Sequence, residues 1–156
     1  MARPMRQPPP TCVLLIGVPA SGKSSFYRAR FADTHVRINR DMLGTAHRVR
    51  LLRDACLAGR ISFVLDNTNV TIRGRLEHIE AARAGGFRVE GYFLESRGPE
   101  CADRNRTREE RQQVPDSAIR EMSARLELPS MEEGFDGLFL VRLVSAGEFD
   151  VREWTS

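Results

Sequence analysis

Gly17 to Ser24 carries the spacing G-x-x-x-x-G-K-[ST], with Gly17, Gly22, Lys23 and Ser24 at the fixed positions. A segment of this kind is a tight glycine-permitted loop delivered by a strand. Its backbone N–H groups converge on an anion at the start of the next helix, where the positive end of the helix dipole adds to them. The chemistry is phosphate binding: Lys23 reaches the β and γ phosphates of a nucleotide, and the Ser24 hydroxyl sits on Mg²⁺. Pro19, Ala20, Ser21 and Ser25 complete the candidate cradle. Lys23 is also the single lysine among 24 Lys and Arg residues. Arginine is a wide planar fork and lysine a compact point charge, so a phosphate loop is a place where one does not replace the other.

Three further clusters offer chemistry. If Lys23 and Ser24 hold MgATP, the reaction needs an acceptor hydroxyl and a group to take its proton. Asp41, just past a short strand, is placed for that base role. Aspartate is equally a favoured helix cap, and local sequence leaves both readings open. Asp66 ends another strand, where a carboxylate near Mg²⁺ is expected, and Asn67, Thr68 and Asn69 add donors and acceptors. The same residues also suit a turn, because each bonds its own backbone. Arg40, Asp41, Asn67, Thr68 and Asn69 form the candidate acceptor side. Last come Arg104, Arg106, Arg108 and Arg111. Arg104, Arg108 and Arg111 share one helix face, where like charges cost ~0.2–0.5 kcal/mol per pair unless an anion accepts them. A lid clamping a transferring phosphoryl group fits this pattern. A solvated face diluted by Glu100, Glu109 and Glu110 fits it as well.

The elements that position these clusters follow from hydrophobic pattern. Thr11 to Ile16 reads as a strand, with a helix from Ser24 to Phe31, and 35–39 as a short strand followed by a turn at 40–44. Val49, Leu52 and Cys56, with Leu51 and Ala55 alongside, mark a helix over about 45–57 that Gly59 stops. Residues 61–65 form an apolar strand. Ile72, Leu76, Ile79 and Ala82 mark a helix closed by Gly85-Gly86, and 87–94 is a further strand. A charged helix over 100–112, another carrying Ile119, Met122 and Leu126, a strand at 138–144 and an edge segment after Glu148 complete the chain. Strands alternating with helices imply β-α-β units, hence a parallel sheet with helices on both faces. Ligand then binds beyond the carboxyl ends of the strands, where all the polar clusters between Gly17 and Asn69 fall.

The chain has 156 residues, with 41% hydrophobic and 29% charged content, enough for one domain burying ~70% of its unfolded surface. Residues 1–10 read as a disordered Pro-rich tail and 11–156 as one domain. A net charge of +3 does not demand a polyanionic partner, and the pI near 9.1 permits one. Cys12, Cys56 and Cys101 form no C-x-x-C pair, and His35, His47 and His78 lie apart. The pattern fits a reduced cytoplasmic protein better than a zinc site or disulfide scaffold. No apolar run approaches the ~20 residues of a membrane span, and no obligate protein partner is expected. Arg48, Arg50 and Arg53 suit either phosphate contacts or a solvent face. Phe26 and Tyr27 read as core.

Residues 17–25, Ile38-Asn-Arg-Asp-Met-Leu-Gly44, Leu65-Asp-Asn-Thr-Asn69 and Arg104-Asn-Arg-Thr-Arg108 occur in one order. Together they resemble the polynucleotide 5′-hydroxyl kinase family, in particular the kinase domain of polynucleotide kinase-phosphatases. Val114-Pro115 and Glu133-Gly-Phe135 extend the likeness, which runs from Thr11 onward. The fold it implies is an adenylate-kinase-like P-loop NTPase with an arginine-bearing helical lid. The activity it implies is transfer from ATP to the 5′-OH of a nucleic acid end. Lys23 and Ser24 then match the ATP and Mg²⁺ contacts, and Asp41 the carboxylate that activates the hydroxyl. Asp66 and Asn67 match the stretch beside acceptor and metal, and Arg104 and Arg108 match lid arginines on the ATP phosphates. No D-x-D-x-T phosphatase motif and no ligase motif occurs, so the chain reads as a free-standing kinase module. Kinases of small molecules or sugar nucleotides, and a nucleotide-binding module without transfer, are the rival readings.

Overall fold

The computed structural model describes residues 6–95, 114–145 and 147–155. Its centre is β1 (Thr11–Ile16), an apolar run that reads as continuous because both its faces are covered. Cys12, Leu14 and Ile16 face one layer and Val13 and Leu15 the other. The chain continues through α1 (Lys23–Arg30), β2 (Val36–Ile38), α2 (Arg40–Leu43), α3 (Ala46–Gly59), β3 (Phe63–Asp66), α4 (Ile72–Ala84) and β4 (Arg88–Leu94). Beyond 113 come α5 (Asp116–Arg125), a 3₁₀ turn (Met131–Glu133), β5 (Gly137–Ser145) and β6 (Glu148–Glu153).

The described strands form a six-stranded sheet in the order β2-β3-β1-β4-β5-β6. Every pairing is parallel except that of β5 with β6. β1 therefore lies where the strand order reverses, so the crevice past its carboxyl end is the ligand position this topology provides. On one face, Val49 and Cys56 of α3 and Ile79 and Ala82 of α4 pack on β1 and β3. On the other, Phe26 of α1 and Phe31 just beyond it cover Val13, Leu15 and Val64, with Phe149 and Val151 of β6 against them. Phe26 is core as expected, and Tyr27 is partly buried with its hydroxyl donating to the His35 carbonyl at 2.7 Å. A third, small cluster sets Ile119 of α5 against Val18 of the loop after β1.

Several expected boundaries shift. The turn over 40–44 is one helical turn, because the Asn39 side chain accepts from Met42 N and caps it. Helix α3 runs through Gly59, and the left-handed turn falls on Arg60 (φ 55), whose guanidinium donates to the Gly85 carbonyl at 3.1 Å. Leu51 and Ala55 do not join the buried face of α3; Arg53 does. Ile72 and Leu76 are exposed, and Arg75 lies beneath them fully buried. The edge segment is a true antiparallel strand, β6. No helix among the described residues is long and apolar enough to cross a membrane.

Candidate active site

The loop between β1 and α1 has the backbone a phosphate cradle requires. Ala20 (φ 63) and Gly22 (φ 101) are left-handed on either side of Ser21, which curls successive N–H groups into a concavity. Gly17 must lack a side chain: a Cβ there would stand 2.6 Å from Ser21 Oγ and 3.3 Å from the Leu94 carbonyl. Lys23 is buried, and its ammonium donates to the carbonyls of Gly17 at 2.9 Å and Val18 at 2.8 Å and to Ser21 Oγ at 3.4 Å. These bonds hold the loop closed around its own cation. Pro19 and Ala20 are half-buried on the rim, Ser21 is buried, and Ser25 is exposed on the first turn of α1.

Ser24 and Asp66 meet across the sheet end. The Ser24 hydroxyl donates to Asp66 Oδ2 at 3.1 Å, and the Asp66 side chain is 1% exposed. Hydroxyl and carboxylate oxygens are the hard donors Mg²⁺ takes, and two protein ligands plus phosphate oxygens and waters are its ordinary complement. No cluster of three or more His, Cys, Asp or Glu suited to an all-protein metal cage exists among the described residues. The pair thus fits a cation that arrives with phosphate.

The acceptor-side candidates are laced to the same strand ends. Asn39 donates its amide to the Asp66 carbonyl at 2.7 Å, and the Arg40 N–H donates to Asn67 Oδ1 at 2.8 Å. The Thr68 carbonyl accepts from Gly17 N at 3.0 Å, which ties this run to the phosphate loop. Asn69, left-handed at φ 48, donates its amide to the carbonyls of Leu15 at 2.7 Å and Leu65 at 3.2 Å. Its carboxamide is thereby committed to holding β1 and β3 at a set spacing.

Asp41 lies exposed on α2. The cap reading of this residue falls away, because Asn39 caps α2 and Thr45 caps α3. Among the described residues no side chain takes the Asp41 carboxylate. Arg104 and Arg108, with Arg106, Arg111 and the helix expected over 100–112, lie outside the described residues.

Sequence reasoning missed three arginines. Arg37, in the middle of β2, donates to Asp66 Oδ2 at 2.8 Å and to Ser24 Oγ at 2.9 Å. Arg75 bonds the Asn69 carbonyl at 2.8 Å and the Glu133 carboxylate at 2.7 Å. Arg53, offered as a solvent-face or phosphate residue, is buried and donates to Asp54, Glu77 and His78. Arg75 and Arg53 were findable, since each occupies a position on its helix's apolar stripe. Arg37, flanked by Val36 and Ile38, looks like any outward residue of an edge strand. Burial pushes the Cys12 thiol far above its ordinary range, so it is no nucleophile.

Residues 12–129 match the AAA domain family. The chain is 30% identical over 128 residues to the bifunctional polynucleotide phosphatase/kinase of Schizosaccharomyces pombe, spanning 79% of this chain and 31% of that one. The fold is similar to a gluconokinase from Sinorhizobium meliloti 1021, with TM-score 0.62 and 20% identity over 89% of this chain and 86% of that one. It is also similar to a chain of the Pnkp1/Rnl/Hen1 RNA repair complex, with TM-score 0.66 and 23% identity over 81% of this chain and 47% of that one. The parallel sheet switching at β1, the glycine-dependent loop around Lys23 and the match over 12–129 agree: the chain belongs to the AAA domain family and carries the fold of P-loop kinases.

Proposed function

We propose that the chain is an ATP-dependent kinase transferring the γ-phosphate of ATP to a hydroxyl, with the 5′-OH end of DNA or RNA as its acceptor. The observation that carries phosphoryl transfer is Asp41. Both neighbouring helix caps are supplied by other residues, and α2 is bonded through the Arg40 N–H to the strand end that holds Asp66. A carboxylate so positioned is uncommitted and suited to a proton. In this reading Lys23 and the loop N–H groups receive the β and γ phosphates, and Ser24 and Asp66 hold Mg²⁺. When bound, Mg²⁺ neutralises charge on the phosphate oxygens. Asp41 takes the hydroxyl proton as the acceptor oxygen bonds phosphorus and the bond to ADP breaks. Arg104 and Arg108 are assigned to the ATP phosphates. A cytoplasmic setting belongs to the proposal and accords with free, buried Cys12 and Cys56.

The acceptor assignment draws on the likeness to the yeast phosphatase/kinase, of which this chain spans under a third. A sugar hydroxyl is the second reading, favoured by a gluconokinase matched over 86% of its length. ATP labelled at the γ-phosphate, offered with 5′-OH oligonucleotides and a panel of sugars and sugar nucleotides, separates them. Label on the oligonucleotide is the expected result. Label on a metabolite alone replaces the acceptor, and binding of ATP with no transfer to anything overturns the kinase.

A further inference from the structure

Arg37 reaches from the middle of β2 across the end of β3 to α1. Its Nε donates to Asp66 Oδ2 at 2.8 Å and its Nη2 to Ser24 Oγ at 2.9 Å, while Ser24 Oγ donates to that same Oδ2 at 3.1 Å. The guanidinium stands 5.9 Å from the centre of the Tyr27 ring, which is itself fixed by its hydrogen bond to the His35 carbonyl. A carboxylate as buried as Asp66 requires a partner. Among the described residues Arg37 is the cation in ion-pair contact with it.

The proposed kinase uses these two oxygens for Mg²⁺, and the inference rests on that reading. A guanidinium bonded to both and a metal bonded to both exclude each other. We infer that Arg37 is a positioning residue that occupies the metal pair as a tethered cation, so that Mg²⁺ enters with nucleotide and not before it. Without nucleotide the Asp66 charge is already neutralised, and a bare Mg²⁺, which sheds water reluctantly, gains little by displacing Arg37. Nucleotide phosphates add negative charge enough for both cations. Arg37, 32% exposed, can then swing outward without leaving a cation stranded in the core.

The test uses Mn²⁺ as a paramagnetic stand-in for Mg²⁺, followed by electron paramagnetic resonance on the full chain. Wild type is expected to take up Mn²⁺ only with ADP present. Arg37→Gln is expected to bind Mn²⁺ without nucleotide, roughly tenfold or more tighter than wild type, because a buried carboxylate has lost its partner. Arg37→Gln should also melt lower in EDTA and recover on adding MgCl₂, a response absent from wild type. A purely structural arginine would lower the melt with no recovery. Equal Mn²⁺ binding by wild type with and without ADP overturns the inference, and so does an Arg37→Gln chain no better than wild type. If Arg37→Gln does not fold, Mn²⁺ uptake by wild type without ADP still overturns the inference. The acceptor assay reads a different quantity, so failure of the kinase reading and failure of this inference are told apart.

Discussion

Arg75 and Glu133, 58 residues apart, form an ion pair with almost no access to water: Nε donates to Oε1 at 2.7 Å, and the side chains are 0% and 5% exposed. The same guanidinium bonds the carbonyls of Asn69 and Glu127, and the same carboxylate accepts from Ser130 N to close a capping box. One pair thus fastens the end of the Asp66–Asn69 run to the segment ahead of β5. Removing one partner strands a charge, so Arg75→Met should lower the unfolding free energy by about 3–5 kcal/mol. Arg142→Met, which breaks the exposed pair with Glu95, should cost no more than about 1 kcal/mol. Urea titration reads both, and similar losses would make the buried pair incidental.

Asp41→Asn should lower phosphoryl transfer by ~10²–10⁴-fold with ADP affinity and melting temperature unchanged. The structure makes this separation sharp, since Asn39 rather than Asp41 caps α2. Asn39→Ala should instead lose about 1 kcal/mol of stability. Transfer rates at saturating ATP, set beside thermal melts, check both; a melt that falls with Asp41→Asn would return that residue to a structural role.

Lys23→Arg keeps the charge and should still fail. The ammonium sits within a closed loop, on the Gly17 and Val18 carbonyls, and a planar fork is wider than this point charge and presents its donors in a fixed plane. ADP affinity should fall by about 10–100-fold, the effect of losing charged hydrogen bonds. Gly17→Ala should weaken binding in the same direction by pressing on Ser21 and the Leu94 carbonyl. Calorimetric titration with ADP measures both, and undiminished affinity in Lys23→Arg would remove the argument for lysine.

His78 supplies a pH dependence. Burial, together with Arg53 donating to Nδ1 at 3.0 Å and the nearby Arg50, pushes its pKa down to about 4, against partial opposition from Glu77 and Asp54. The folded chain keeps it neutral while the unfolded chain, with a pKa of about 6.5, binds a proton. Stability from this group is therefore complete above about pH 6.5 and lost as pH falls towards 4, by up to about 3 kcal/mol. In His78→Gln, whose side-chain oxygen can still accept from Arg53, that part of the slope should vanish. Denaturation curves between pH 7 and pH 4.5 test it, and an unchanged slope would assign the acid sensitivity elsewhere.

The phosphate loop and the strands around it were legible because their signals are local. Gly17 and Gly22 sit where the backbone needs them, and 12–16 is apolar on both alternating faces. The crowding of Asp66 to Asn69 beside the loop followed from parallel topology alone. Local sequence left Asp41 between base and cap, since which residue caps a four-residue helix depends on backbone angles at Asn39. The arginines mislead for another reason. Arg75, three after Ile72 and four before Ile79, lies on the stripe, but charge argues for solvent until carbonyls and Glu133 from distant sequence arrive to meet it. Arg37 gave no sign at all, because its partners come from a helix and a strand that sequence order does not place beside it.

Asn69 binds the ends of β1 and β3 into one piece, while α2 has no buried residue and is held by its Asn39 cap and by the Arg40 N–H bond to Asn67. The two halves of the crevice are therefore built to different tolerances. The side chains at exposed positions such as Arg40 and Met42 are free to change without disturbing the frame around the 17–24 loop. Under the proposed function, a lineage could in this way keep its donor and retune its acceptor by small edits, much as a fixed handle takes exchangeable bits.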